Sequence, residues 1–348
     1  MIKDSKIGLF TDIHIGLNQD SIVWHNIVLE FADWCSKKFL EKGINDIVIC
    51  GDVFHNRSEI SVATLDTAKK FFDCFKDFQI YILAGNHDSF YKDHSLVNSI
   101  SLLDGWSNIK IIDKEPKEIK LGNKKGVLVP WGTKFEDIPN SDVCFGHFEI
   151  VSFYMNTYKV CEHGMSSNDL FKKAKTIVSG HFHKKDHRKY DNGEIMYLGS
   201  PYQQNFGDTL DDRGVYIYDI DKNEFEFIEN DISPKYFKLS VNKILTGEDT
   251  DDELKNKIAK NHISLVVDSH IDSDKLTILS SKIQKHLPVN FRLDYKEPDI
   301  KINTDQVEKK LEYVNIMDDI ESYINNIDIK NKKELTDYIK EIYSINKI

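Results

Sequence analysis

Short apolar runs of four or five residues, several closed by a Gly or an Asp, alternate in the first half of the chain with longer segments whose apolar residues recur every three or four positions. The short runs, such as Lys6 to Phe10, Ile47 to Cys50 and Ile80 to Leu83, read as buried strands, and the longer segments read as amphipathic helices. One helix is predicted from about Ser21 to Lys42, with Ile27, Phe31, Trp34 and Cys35 on one face and Gly43 suited to the stop. A second follows Ser61, a candidate N-cap, and carries Leu65, Ala68, Phe72 and Phe75 as a core-facing stripe. Strand, helix, strand, helix, strand in close succession implies right-handed crossovers and a mainly parallel first sheet, with its loops gathered at the C-terminal strand ends.

From about Ile109 the pattern becomes strand-rich. Lys117 to Leu121 and Gly126 to Val129 flank a Gly122-Asn123 turn, and Asp191-Asn192-Gly193 marks another hairpin. The alternation in Val215-Tyr-Ile-Tyr and Phe225-Glu-Phe-Ile is expected to close a second sheet. Two sheets packed face to face with outer helices make a four-layer α/β/β/α sandwich. Beyond about Asn230 a small α/β module is expected: Tyr236 to Val241, a helix near Asp252 to Lys260, Ile263 to Val267, a helix near Asp274 to His286, and Val289 to Leu293. Leu276, Leu279, Ile283 and Leu287 form the stripe of its second helix. Glu297-Pro298-Asp-Ile-Lys reads as a linker. A helical tail then carries Val307, Leu311, Val314, Met317, Ile320, Ile324 and Ile327, followed by Leu335, Ile339 and Ile342. The expected division is a core at 1–230, a capping module at 231–297, and a linker with helical tail at 298–348.

Composition narrows the setting. A chain of 348 residues exceeds the usual single-domain size, and 40% hydrophobic with 30% charged residues describes a soluble globular protein. The absence of a long uncharged apolar stretch and of a signal pattern at Met1-Ile-Lys-Asp places it in the cytoplasm, away from membranes. Five scattered cysteines, Cys35, Cys50, Cys74, Cys144 and Cys161, form no Cys-x-x-Cys pair and suit reduced, packed thiols. A net charge of −11 excludes a protein that coats nucleic acid by bulk electrostatics, though cations held at one site could supply a local positive field.

Candidate chemistry sits where the strand-like runs end. Five of them run into Asp12-Ile-His14, Gly51-Asp52, Gly85-Asn86-His87-Asp88, Gly146-His147-Phe148-Glu149 and Gly180-His181-Phe182-His183. A carboxylate at such an end can bridge two cations, one on each oxygen, with Gly51 allowing the backbone a close approach. Asp12, His14, Asp52, Asn86, His147, His181 and His183 supply a mixed oxygen and nitrogen ligand set, which suits Mn2+, Fe2+ or Zn2+ better than Ca2+ and, lacking thiolates, is unlike a structural zinc site. Each motif alone has a plainer reading, since Gly-Asp is a common turn and Gly-His-x-His can be a turn with satisfied imidazoles. The repetition of five at strand ends decides for metal. His25, His94, His163, His187, His262, His270 and His286 lie outside the pattern and are assigned to surface or packing, and Asp88 to orienting its own loop.

Taken in this order, the five motifs resemble the signature of the calcineurin-like metallophosphoesterases. Within that superfamily, Gly51-Asp-Val-Phe-His55, Gly146-His-Phe-Glu149 and Tyr197-Leu-Gly-Ser-Pro-Tyr202 resemble the SbcD-type DNA repair nucleases, nearest the recombination endonuclease subunits of phages. The resemblance is specific over roughly the first two thirds of the chain and architectural beyond. It implies two divalent ions, most often Mn2+, with Asp12, His14 and His183 on one, Asn86, His147 and His181 on the other, and Asp52 between them. It further implies that His87 is the catalytic histidine and that His55 assists exonuclease action. DNA is the implied substrate. A coiled-coil ATPase of the SMC type is the implied partner, bound through the C-terminal helices, and the host cytoplasm is the location if the gene is phage-borne. A homodimer through the two early helices is implied as well, with Trp24 and Phe71 as candidates for exposed contact or, equally, for core packing.

Two other functions compete. A metallophosphatase or cyclic-nucleotide phosphodiesterase could use the same core, but the Gly-Asp-x-x-Asp-Arg-Gly run of the protein phosphatases is replaced here by Gly51-Asp-Val-Phe-His-Asn-Arg57. A scaffold that regulates an ATPase with vestigial catalysis is disfavoured by the complete ligand set. Lys255, Lys257 and Lys260 of the module could face DNA, although a solvated helix face explains them as well.

Overall fold

In the computed structural model, which describes Ile2 and residues 4–155, 159–296, 324 and 332–345, alternate residues of the central strands enter different cores. In β1 (Lys6–Phe10), β2 (Asp46–Ile49) and β3 (Gln79–Leu83), Phe10, Ile47, Ile49, Ile80 and Ile82 turn to one face, and Ile7, Leu9, Val48, Tyr81 and Leu83 to the other. Both faces are therefore buried, which is why these strands read as near-continuous apolar runs. The first face is covered by α1 (Ile22–Glu41) and α2 (Val62–Asp73), chiefly through Val28, Phe31, Phe39 and Phe71, and by Phe75 just beyond α2. The second face packs against Val143 and Phe145 of β7 (Val143–His147), Val178 of β8 (Thr176–Gly180) and Met196 of β10 (Gly193–Tyr197).

The first sheet has the order β12-β11-β1-β2-β3-β4, with β4 at Ile109–Ile112, β11 at Gly214–Asp219 and β12 at Glu224–Glu229. Its β1 to β4 neighbours are parallel, as the crossovers predict. The second sheet runs β5-β6-β7-β8-β10-β9, and both predicted hairpins are present: β5 (Lys117–Leu121) with β6 (Lys124–Val129), and β9 (Asp186–Tyr190) with β10. One expectation is overturned. Val215-Tyr-Ile-Tyr and Phe225-Glu-Phe-Ile belong to the first sheet, because β11 pairs antiparallel with β1, Gly8 facing Ile217. The chain thereby covers the free edge of β1, whose backbone polar groups would otherwise lack partners. Val215 and Ile217 join the helix-side core, while Tyr216 and Tyr218 join the core between the sheets. The outer face of the second sheet buries Cys144, Ile177, Ile195 and Tyr197 under Ile150, Phe153 and Leu170, the last on the short helix α3 (Ser167–Leu170).

Ser61 caps α2 by accepting from Thr64 N at 3.0 Å. With the start fixed there, Thr64, Ala68, Phe71, Phe72 and Phe75 are buried, while Val62 and Leu65 point outward. Leu65 is thus exposed rather than part of the stripe, and both Trp24 and Phe71 are core residues at 1% and 0% exposure, which removes them as dimer contacts.

The third sheet is parallel, with β13 (Tyr236–Ser240), β14 (His262–Val267) and β15 (Asn290–Tyr295), accompanied by α4 (Val241–Thr246), α5 (Asp251–Ile258) and α6 (Ser273–Gln284). A capping box between Thr250 and Glu253 starts α5. Leu239, Leu254, Ile258, Ile263, Leu265 and Ile283 make a separate small core, and Leu276 and Leu279 pack on it, whereas Leu287, assigned to the same stripe, is exposed beyond the end of α6. This module shares one compact unit, Met1–Tyr295, with the sandwich, and Lys296–Ile348 forms a second unit. In the latter α7 (Lys332–Ile345) contains the second predicted tail run. The first run lies outside the described residues except for Ile324, which is buried. No helix among the described residues is long and apolar enough to cross a membrane.

Candidate metal centre

The loops that follow β1, β2, β3, β7 and β8 meet at the C-terminal strand ends. Asp12 N donates to Gly51 O at 3.0 Å and His14 N to Asp52 O at 3.1 Å, so the β1–β2 ladder continues into the loops and fixes both. Asp12, His14 and Asp52 stand at φ of 55°, 51° and 55°, and His181 at 88°, left-handed conformations that cost on the order of 1 kcal/mol or more apiece. The paired glycines have a steric reason. A Cβ on Gly51 would fall 2.5 Å from His147 Nδ1, and one on Gly85 would overlap the carboxylate of Asp52.

All seven predicted ligands converge. His14 Nε2 and His183 Nε2 are 3.1 Å apart and lie 3.8 and 3.6 Å from Asp12 Oδ1. Opposite them, Asn86 Oδ1 stands 2.9 Å from His147 Nε2 and 2.8 Å from His181 Nδ1. Asp52 lies between the two triads, its Oδ2 at 3.6 Å from His14 Nε2 and 3.4 Å from His147 Nε2. Its Oδ1 accepts from His87 N at 2.8 Å, so a single oxygen faces both triads, in place of the expected one oxygen for each.

These residues fit divalent cations. Asp12 Oδ2 accepts from Thr11 Oγ1 at 2.7 Å and from His181 N at 3.1 Å, but Asp12 Oδ1 is buried with no hydrogen-bond partner. A buried carboxylate oxygen ringed by imidazole nitrogens is a demand for positive charge. The same demand shows in the titration of the neighbours. Burial alone would lower the pKa of His147, yet Asp52 and Asp12 outweigh it and push the imidazole up to about 9. Asp52, despite burial that acts to raise it, is held well below the usual carboxylate range by His147 and His14. A divalent cation meets that demand and leaves the imidazole lone pairs free to bind it.

His87 and His55 stand beside the ligands. The His87 ring is 4.7 Å from that of His14 and perpendicular to it, and 5.2 Å from that of His55 in a stacked pair. Since the His55 carbonyl can only accept, its 2.7 Å contact with His87 Nδ1 places the proton on Nδ1 and fixes the ring. Burial, reinforced by His14 and His87, pushes His55 down to about 4. The Asp88 carboxylate accepts from Phe54 N and Gly85 N, both at 2.9 Å, and so straps the Asp52 loop to the Asn86 loop.

A cavity of about 700 Å3 opens next to His55 and His87, lined also by Gln19, Asn56, Arg57 and Thr64. Arg188, Arg213 and Arg292 are each paired with an aspartate, whereas Arg57 has no carboxylate partner among the described residues. Sequence reasoning did not assign Arg57 a role. It also missed the outer supports: Trp24 Nε1 donates to His14 O at 3.1 Å, Gln204 Nε2 to Asp12 O at 2.8 Å, and Tyr202 Oη to Ile13 O at 2.6 Å. The last gives the Tyr197 to Tyr202 motif a task in holding the Asp12 to His14 loop.

The sequence profile of the calcineurin-like phosphoesterases matches residues 5–300. The chain is 27% identical over 301 residues to exonuclease subunit 1 of Enterobacteria phage T4, an alignment that covers 77% of this chain and 86% of that protein. Among solved structures it is similar to an archaeal phosphodiesterase, at 14% identity and TM-score 0.37 over 65% of this chain and 99% of that one. A dimetal phosphatase from Danio rerio is similar at 10% identity and TM-score 0.38, over 61% and 91%.

Proposed function

Because the chain belongs to the calcineurin-like phosphoesterase family, whose members bind divalent metals, we propose that it is a metal-dependent DNA nuclease, an exonuclease on duplex ends and an endonuclease on single strands. The observation that carries this reading is the pair of ligand triads sharing Asp52, with His87 hydrogen-bonded to the same carboxylate. The relative in phage T4, named an exonuclease subunit, supports the choice of substrate.

When bound, two divalent cations, of which we propose Mn2+, supply Lewis-acid neutralisation of a phosphodiester and lower the pKa of water. Asp12, His14 and His183 would hold one, Asn86, His147 and His181 the other, and Asp52 both. His87, oriented through its Nδ1 proton, would move a proton to the leaving oxygen or hydrogen-bond a phosphate oxygen. His55, stacked on it, would assist at duplex ends. The adjoining cavity is lined by Arg57 together with Asp20 and Glu59, and Arg57, which has no ion-pair partner among the described residues, would meet a neighbouring phosphate there.

In this reading the chain is the nuclease subunit of a complex with a coiled-coil ATPase, working in double-strand-break processing and recombination in the cytoplasm. It is also a homodimer. Val62 and Leu65 on the outer face of α2, together with Phe90, Tyr91, Leu96 and Val97 on the loop after Asn86, are exposed apolar side chains suited to a second copy. The test is an assay of the full chain with added Mn2+ on labelled duplex DNA, labelled single strands, a small phosphoester and a phosphopeptide. Cleavage of both DNA forms is expected. Preference for the small phosphoester or the phosphopeptide would reassign it as a phosphodiesterase or phosphatase, and no cleavage at all would make it a scaffold.

A further inference from the structure

Among the described residues, His181 alone of the four imidazoles in the proposed ligand triads has a carboxylate on the nitrogen turned away from the other ligands. Its Nδ1 faces Asn86 Oδ1 at 2.8 Å, so that atom points to the centre. Its Nε2 lies 3.3 Å from Glu149 Oε1. A carboxylate accepts only, which puts the His181 proton on Nε2 and leaves Nδ1 with its lone pair toward the cation site. The Glu149 backbone is itself pinned, since Met165 N donates to Glu149 O at 2.9 Å. The ring of Trp131 lies 5.3 Å from that of His181 and is fixed by its own bond from Nε1 to Lys92 O at 2.9 Å. Among the described residues no carboxylate meets the outer nitrogen of an imidazole in the other triad, where His14 Nδ1 faces another imidazole, His55 Nδ1, at 3.4 Å.

We infer that Glu149 is a positioning residue that holds the tautomer and ring orientation of His181 and thereby makes the Asn86, His147 and His181 site the tighter of two cation sites. An anion that accepts from the outer N–H raises the basicity of the liganding nitrogen, and loss of such a partner typically weakens metal affinity about 10- to 100-fold. The inference rests on the two-cation reading above.

The experiment is a Mn2+ titration of the full chain by calorimetry and electron paramagnetic resonance. Wild type should bind two ions unequally and show the spin-coupled signal of an ion pair. Glu149→Ala should weaken one site roughly 10- to 100-fold, leave the other unchanged and lose the coupled signal at stoichiometric metal. Glu149→Gln, of the same shape and with an acceptor retained, should restore part of the affinity. In a His181→Ala background the Glu149→Ala change should have no further effect, which a merely structural role would not produce. Fewer than two bound ions in wild type would overturn the two-cation reading and this inference with it. Two ions in wild type with unaltered affinities in Glu149→Ala, or equal weakening of both, would overturn the inference alone.

Discussion

The backbone N–H of His87 donates to Asp52 Oδ1 at 2.8 Å, so the proposed bridge and the proposed proton donor share one hydrogen bond. Asp52→Ala removes the oxygen that faces both triads as well as the acceptor for the His87 loop. We expect it to abolish cleavage and to leave less than one Mn2+ per chain by elemental analysis. Near-normal cleavage by a metal-loaded Asp52→Ala protein would reject the shared-ligand assignment.

His87→Ser should behave otherwise. Its side chain bonds to the His55 carbonyl and is no member of either triad, while the backbone N–H that serves Asp52 survives the substitution. Cleavage should fall about 10²- to 10⁴-fold, the usual worth of a general acid or base. Both ions should remain. Loss of one ion in the variant would move His87 into the ligand set.

Gly85→Ala tests the steric argument, because the new methyl would overlap the Asp52 carboxylate. Overpacking of this kind costs about 1–3 kcal/mol. The expected result is a lowered urea midpoint together with weakened Mn2+ binding, although residue 85 ligates nothing. Unchanged binding and midpoint would mean the two loops can part.

The convergence of the seven candidate ligands was legible because each stands at the end of an apolar run buried on both faces, and buried strands of that kind end at one edge. Pairing was less so. The alternation of Val215-Tyr-Ile-Tyr says that both faces of β11 are covered but not that its neighbour is β1, which depends on an unpaired edge two hundred residues earlier. The stripe of α2 was legible at its Ser61 cap and at Ala68, Phe72 and Phe75, but not at its first turn, where polar Thr64 is buried and Leu65 exposed, nor at Phe71, whose burial needs a wider apolar face than a single stripe. Glu149 stood in a recognised motif, yet its role depends on β7 lying beside β8 with His147 opposite Gly180, a register that no linear pattern contains.

The small module carries a pH-dependent element away from the metal centre. His262 of β14 is stacked on Tyr236 at 4.2 Å and 6°, its Nε2 is buried without a partner, and burial pushes its pKa from 6.5 down to about 4. Between those two values the unfolded chain binds a proton that the folded chain refuses. Stability is therefore intact above about pH 6.5 and falls as the pH drops toward 4, by at most about 3 kcal/mol. His262→Phe keeps an aromatic stack and removes the proton. Urea unfolding at pH 7 and pH 5 should show a smaller loss in the variant than in wild type. Equal losses would assign the acid sensitivity to other groups.

The tail offers the sharpest separation of chemistry from assembly. All seven proposed ligands, His55 and His87 lie within Met1–Tyr295, and the second unit, Lys296–Ile348, supplies none of them. Its α7 carries Leu335 and Ile339 one turn apart, an apolar stripe on a helix whose Tyr338 is 62% exposed. A stripe of this kind either folds back on its own chain or docks into a partner's groove. We propose docking, with the coiled-coil ATPase that the resemblance to SbcD-type nucleases implies as the partner. Truncation after Pro298 should then leave Mn2+-dependent cleavage of single-stranded DNA at the wild-type rate while abolishing co-purification with the ATPase and ATP-stimulated resection of duplex ends. A truncated chain that still bound the ATPase at full affinity would move the docking surface into the first unit, where the exposed apolar residues of α2 and the loop after Asn86 would be the next place to look.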